Sequence, residues 1–261
     1  MKNAITELFN LTGKTAFVTG ANSGIGKDAC IAYAQAGANV ILLDIVDATK
    51  LATELSTKYH VETLSVIANV GNEKEVEVAV ATALKKFPKI DILLNNAGIA
   101  VPGTVDRMSL EKWEKAMNVN VTGIYLVSKY VLKNMISNKA GRIINVASIE
   151  AVTAEPSYLG ARHVYNTSKG AVRGLTIAMA ATYGYWNITV NSIGPGLFLS
   201  EMTKDTLFKT PGLVDTYNKS CPLHRPGNIG ELNGTIIYLS SAASSYVTGQ
   251  HILIDGGYTI V

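Results

Sequence analysis

"VTGANSGIGKDA", residues 18–29, follows the short apolar run "TAFVTG" at 15–20 and opens a stretch with helical spacing. A strand that breaks into a glycine turn and then a helix is the first step of a nucleotide-binding sheet. Gly20 permits the sharp turn, and Gly24 and Gly26 let backbone approach a pyrophosphate and let helix pack closely on strand. The amides of the turn, with Asn22, Ser23 and Ile25 between the glycines, and the positive helix end then face the anion. The spacing is Gly-x-x-x-Gly-x-Gly rather than Gly-x-Gly-x-x-Gly. Glycines can also simply make a turn; the placement between strand and helix favours the nucleotide role.

Outward from this turn, short apolar runs alternate with longer helical patterns. "NVILLD" precedes a helix near 47–59, and "ETLSVIANV" one near 73–87. "IDILLNNAG" leads into a long helical stretch near 110–138, and "GRIINVAS" into a loop and then a helix opening at Tyr165. "ITVNSIGPG" and "HILIDGG" complete seven strands. Unbroken apolar strands between helices indicate a parallel sheet covered on both faces. Right-handed crossovers then give an α/β, doubly wound sheet. With no solenoid repeat, low-complexity tract or linker, residues 1–261 read as a single domain.

Asp44 ends the second strand, 24 residues after Gly20. A carboxylate there can bind both hydroxyls of an adenosine ribose and repel a 2′-phosphate. It could instead cap the next helix, but Asp47 is better placed for that. No Arg or Lys stands beside Asp44 or within "ANS" to meet a phosphate, which predicts NAD rather than NADP.

The 261 residues are 48% hydrophobic and only 16% charged, against roughly 25% charged in ordinary domains. Some surface is therefore poor in charge, which fits burial between subunits. A net charge of +3 without a basic run argues against nucleic acid as a partner. Cys30 and Cys221 read as reduced thiols of a cytoplasmic protein. No signal-peptide core opens the chain, and no apolar run approaches the roughly 18 residues of a membrane span. The four His residues lack metal-ligand spacing.

"YNTSK", 165–169, puts Tyr165 and Lys169 on one face of a helix, one turn apart. The pair could be surface decoration or an acid–base centre. The order "TGANSGIG", "NNAG" at 95–98, Ser148, "YNTSK" and "PG" at 195–196 decides for the second. With these motifs in register, the chain from about Leu11 to Gly257 resembles the short-chain dehydrogenase/reductase family. The resemblance implies a Rossmann-type sheet, a nicotinamide cofactor and a catalytic set of Asn120, Ser148, Tyr165 and Lys169. It places Asn69 and Val70 at the adenine, and Asn96, Ala97 and Gly98 near the ribose and nicotinamide. Pro195, Gly196 and Leu197 would pass the carboxamide. Asn69 stands where the family usually has aspartate; its amide oxygen can still accept from the adenine amino group.

Oxidising an alcohol by hydride transfer requires a base for the hydroxyl proton, and the reverse reaction requires an acid. A tyrosine of ordinary pKa near 10 is a poor base at neutral pH. Lys169 and the positive nicotinamide ring are expected to favour the phenolate and lower that pKa, and Lys169 would also reach the nicotinamide ribose. Ser148 would hold the developing alkoxide, although a serine there could merely end a strand in a turn. Asn120, polar among apolar neighbours, resembles the family asparagine that holds a water for proton relay.

From Ser148 to Tyr165 the gap is 17 residues, several longer than usual in the family. Glu150, Arg162 or His163 on this loop could face a hydroxyl-rich substrate, or simply be solvated. "ELFNLTGKTAFVTG" resembles the branch acting on gluconate, sorbose and related polyols, which predicts chemistry at a secondary carbon of a sugar, polyol or sugar acid. The rival within enzymes is a 3-oxoacyl or general ketone reductase; the rival of another class is a regulatory protein that binds NAD without turnover. The intact tetrad weighs against the latter. Segment 197–230 reads as a substrate lid. Small residues on the helices at 110–138 and 165–185 suit close helix contact, which could be burial inside one subunit; the resemblance implies pairing across a twofold into a homotetramer.

Overall fold

The computed structural model describes residues 4–158, 160–199, 203 and 207–261. After a short helix, α1 (Ala4–Leu8), strand β1 (Thr15–Thr19) enters the core with every residue buried. Its side chains alternate between two apolar layers: Ala16 and Val18 join one, Phe17 the other. β2 (Asn39–Asp44) repeats this, with Val40 and Leu42 on the first face and Ile41 and Leu43 on the second. That two-sided burial is why the strands read as unbroken apolar runs.

β3 (Thr63–Ile67), β4 (Ile92–Asn95), β5 (Gly141–Val146), β6 (Ile188–Pro195) and β7 (His251–Ile254) complete a seven-stranded sheet of order 3-2-1-4-5-6-7. Every pairing is parallel. The order reverses between β1 and β4, which opens a crevice at the carboxyl ends of those strands. The expected doubly wound α/β sheet is therefore present, strand for strand.

The helices follow with small differences. α2 (Gly24–Gln35), α3 (Thr49–Tyr59) and α4 (Glu73–Lys86) lie where the pattern put them. The stretch 110–138 is instead two helices, α5 (Leu110–Met117) and α6 (Gly123–Asn138), joined by a π turn over Asn118–Thr122. α7 (His163–Tyr183) starts two residues before Tyr165, and α8 (Leu213–Ser220) and α9 (Asn233–Ser240) follow. Cys30 and Cys221 are buried free thiols. Among the described residues no helix is long and apolar enough to cross a membrane. The expected lid at 197–230 includes 200–202 and 204–206, which lie outside the described residues.

Candidate active site

The glycine turn is built on steric need. Gly20 has φ +64°, and a Cβ there would stand 2.9 Å from the Ala97 Cα. A Cβ on Gly26 would overlap the Gly20 carbonyl oxygen and press on the Asn96 amide. Asn96 Nδ2 donates to the carbonyls of Thr19 and Gly20 at 3.0 and 3.1 Å, and the Asn96 and Ala97 amides donate to the Thr19 hydroxyl. Asn96 therefore clamps the underside of the turn. Thr19, not singled out from the sequence, is its counterpart; the "TG" before the turn was the available signal.

Ser23 leads into α2 without capping it through its own side chain, so the first-turn amides keep their donors for an outside acceptor. Asp44 Oδ2 accepts from the Asn22 amide at 2.9 Å and Oδ1 from the Val46 amide at 3.1 Å. The carboxylate is thus fixed beside the turn, while Asp47 serves the head of α3 by accepting from Thr49. The neighbours of Asp44 are the exposed apolar Ile45 and Val46. A tight backbone cradle, a free helix end and a fixed carboxylate suit a dinucleotide. Val70 is buried against Gly123. The Asn69 amide oxygen accepts from the Gly71 amide, which leaves its second lone pair for an adenine.

At the carboxyl ends of β4 and β5 the four expected catalytic residues come together. Lys169, buried on α7, donates to the Val146 carbonyl at 2.9 Å and lies 5.5 Å from the centre of the Tyr165 ring. A Cβ on Gly98 would stand 3.3 Å from Asn120 Oδ1 and 3.5 Å from Lys169 Nζ, so this glycine keeps that corner open. Asn120 is fully buried in the π turn. Its amide is committed to the Ile99 backbone in both directions and to the Ser168 hydroxyl. Ser148 is buried; its hydroxyl accepts from the Glu150 amide at 3.1 Å and lies close enough to the Tyr165 phenol to lower its proton affinity.

Burial first, then the Glu150 carboxylate, push the half-buried Tyr165 phenol up to about 12, against the opposing pull of the Ser148 hydroxyl and Arg162. Burial draws the Lys169 ammonium down to about 8. The ammonium is anchored on the Val146 carbonyl, one helical turn from the phenol.

The substrate-side residues divide. Glu150 and Arg162 face each other in an ion pair of 2.6 Å, with side chains 12% and 23% exposed. His163 accepts the Val105 amide on its Nδ1 and belongs to the loop framework. The longer loop latches elsewhere too: the Tyr158 hydroxyl donates to Asp106 at 2.6 Å and Arg107 covers the Tyr158 ring. Beyond β6, the Leu197 amide donates to the Tyr217 hydroxyl, which donates in turn to the Asp255 carbonyl. Tyr217 was not expected from the sequence; only its place on an amphipathic α8 hinted at an inward role. Gly196 is packed so closely that a Cβ would meet Tyr217 and Asp255.

The family model described as enoyl-(acyl carrier protein) reductase matches residues 20–259. The chain belongs to the short-chain dehydrogenase/reductases. Members of this family are oxidoreductases that interconvert alcohols and ketones with a nicotinamide cofactor. The NAD-dependent glycerol dehydrogenase of Listeria innocua is 35% identical over 97% of this chain and 96% of its own. A 3-oxoacyl-[acyl-carrier-protein] reductase of Synechocystis is 36% identical over 95% and 97%. The structure of a gluconate 5-dehydrogenase from Burkholderia cenocepacia, in complex with NADP and tartrate, superposes with a TM-score of 0.91 at 32% identity, covering 98% and 99%. In this short-chain dehydrogenase/reductase, the sheet edge that carries the motifs is the edge on which the tetrad gathers.

Proposed function

We propose that this enzyme is an NAD-dependent dehydrogenase acting at a secondary alcohol or ketone of a polyol, sugar or sugar acid. The observation that carries the reading is the Tyr165 phenol beside Ser148, with the Lys169 ammonium anchored on Val146 one helical turn away. A bound nicotinamide supplies the hydride acceptor or donor. Gly20, Asn22, Ser23, Gly24, Ile25 and Gly26 would hold its pyrophosphate, and Asp44 its adenosine ribose. Asn69 and Val70 would flank the adenine, while Asn96, Ala97, Gly98 and Pro195–Leu197 line the way to the reacting ring.

Tyr165 exchanges the proton of the reacting oxygen, and Ser148 holds that oxygen as charge develops on it. Lys169 orients the cofactor ribose and passes protons on. With both side-chain amide protons given to Ile99 and Ser168, Asn120 would meet a relay water as an acceptor rather than a donor. In ketone reduction Tyr165 acts as the acid, giving its phenolic proton to the reacting oxygen. Oxidation needs the phenolate and quickens as pH rises.

Asp44 supports NAD: a second carboxylate-repelled phosphate would sit among Ile45 and Val46 with no cation in either residue. The rival, a 3-oxoacyl or general ketone reductase, draws on the Synechocystis relative and would favour NADPH. Residues 197–230 serve as the substrate lid, the location is cytoplasmic, and the assembly is a homotetramer.

The test is a panel of glycerol, gluconate, other polyols and simple secondary alcohols, offered with NAD⁺ or NADP⁺ while reduced nicotinamide absorbance is followed. Turnover of a polyol or sugar acid with at least a several-fold preference for NAD⁺ is expected. Preference for NADP⁺ contradicts the Asp44 assignment, and tight NAD binding without any turnover contradicts the enzyme reading.

A further inference from the structure

Glu150 and Arg162 form a partly buried ion pair within the catalytic loop, and its surroundings tie it to the acid–base centre. Glu150 lies two residues beyond Ser148 on the turn Ile149–Ala151, and its amide donates to the Ser148 hydroxyl at 3.1 Å. Asn166, the residue after Tyr165, donates to the Glu150 carbonyl at 3.0 Å and to the Thr153 carbonyl at 2.7 Å. Arg162 lies immediately before α7, three residues from Tyr165. The backbone at 103 and 161–163 is stitched together, with the Gly103 amide on the Ala161 carbonyl and the His163 amide on the Gly103 carbonyl. The extra residues between Ser148 and Tyr165 thus deliver an arginine to Glu150.

The pair is asymmetric. Arg162 engages Oε1, while Oε2 is buried with no hydrogen-bond partner among the described residues. In such a low-dielectric setting the charge of the carboxylate is weakly screened from its neighbours. We propose that the Glu150–Arg162 pair tunes Tyr165, shifting the pH at which the centre changes from proton donor to proton acceptor. This rests on the reading that Tyr165 is the proton-exchanging group.

The other charged and titratable groups around the phenol are already engaged. Lys169, on the same helix, is bonded to Val146, and His163 holds the Val105 amide. Glu155 on the loop reinforces Glu150, raising its proton affinity further, while burial does so first and Arg162 opposes. Asp106 and Arg107, from the segment after β4, are occupied with Tyr158, and His251 on β7 with the Ser192 hydroxyl. Among the described residues this leaves the Glu150–Arg162 pair as the adjustable charge beside Tyr165, and both partners act on the phenol with opposite sign.

The pair makes Glu150 a positioning residue with a readout that packing alone would not move. Protein labelled with ¹³C at the tyrosine Cζ is titrated by NMR, with Tyr165→Phe assigning the resonance. Glu150→Gln is expected to move the Tyr165 titration down by about one pH unit, and Arg162→Gln to move it up. If Glu150→Gln does not fold, Arg162→Gln carries the same test with reversed sign. A Tyr165 titration unchanged in both variants overturns the proposal, as does lost turnover with an unchanged titration. Shifted titrations in a protein that turns over no alcohol support the coupling and count against the proposed function instead.

Discussion

Two side-chain facts decide the most at the residue scale. Gly26 has no room for a methyl group, because the Gly20 carbonyl and the Asn96 amide already occupy it. Gly26→Ala must displace the turn that Asn96 holds, so cofactor affinity should fall at least tenfold and stability by about 1–3 kcal/mol. Fluorescence titration with NADH and urea unfolding read the two effects. Retained affinity would mean that the turn does not meet the pyrophosphate. This turn was legible in the sequence, since three glycines between a strand and a helix carry a steric message that does not depend on distant contacts. The proton affinity of Tyr165 was not legible. Burial and Glu150 raise it against Ser148 and Arg162, and none of these is visible in a spacing of four residues. Equally hidden was that Glu150 and Arg162, twelve residues apart, choose each other rather than open solvent.

At the scale of elements, the sheet was readable because apolar runs buried on both faces leave little else for the chain to do. The junction between α5 and α6 was not. Periodicity continues smoothly from 110 to 138, yet a π turn interrupts it at Asn118–Thr122. Such turns gather at functional sites, and this one carries Asn120 into the interior, where Ile99 and Ser168 satisfy its amide. The odd polar residue in an apolar helix was the only sign. Asn120→Ala strands the Ile99 amide and carbonyl, and should destabilise the fold by about 1–3 kcal/mol in urea unfolding while lowering kcat. A variant as stable as the parent would show that the Ile99 loop is held by other contacts.

For the whole molecule, the carboxyl edge of the sheet gathers the residues of the proposed site: the glycine turn after β1, Asp44 at the end of β2, Gly98 after β4, Ser148 after β5 and Pro195 at the end of β6. The helices behind it leave Tyr125 and Ile177 half-exposed on α6 and α7, in a chain of low charge content. The proposed homotetramer should therefore appear in light scattering at micromolar concentration with four times the chain mass, and a monomer there would contradict it. The reaction itself has a more direct test. With an alcohol found in the substrate panel, the first turnover of NAD⁺ reduction is followed by stopped-flow absorbance in the parent and in Tyr165→Phe, with NADH affinity measured alongside. The phenyl ring keeps the shape and removes the transferable proton, so the burst should vanish while NADH binding stays within a few-fold. A variant that reduces NAD⁺ at the parental rate would show that the proton leaves the alcohol by another route.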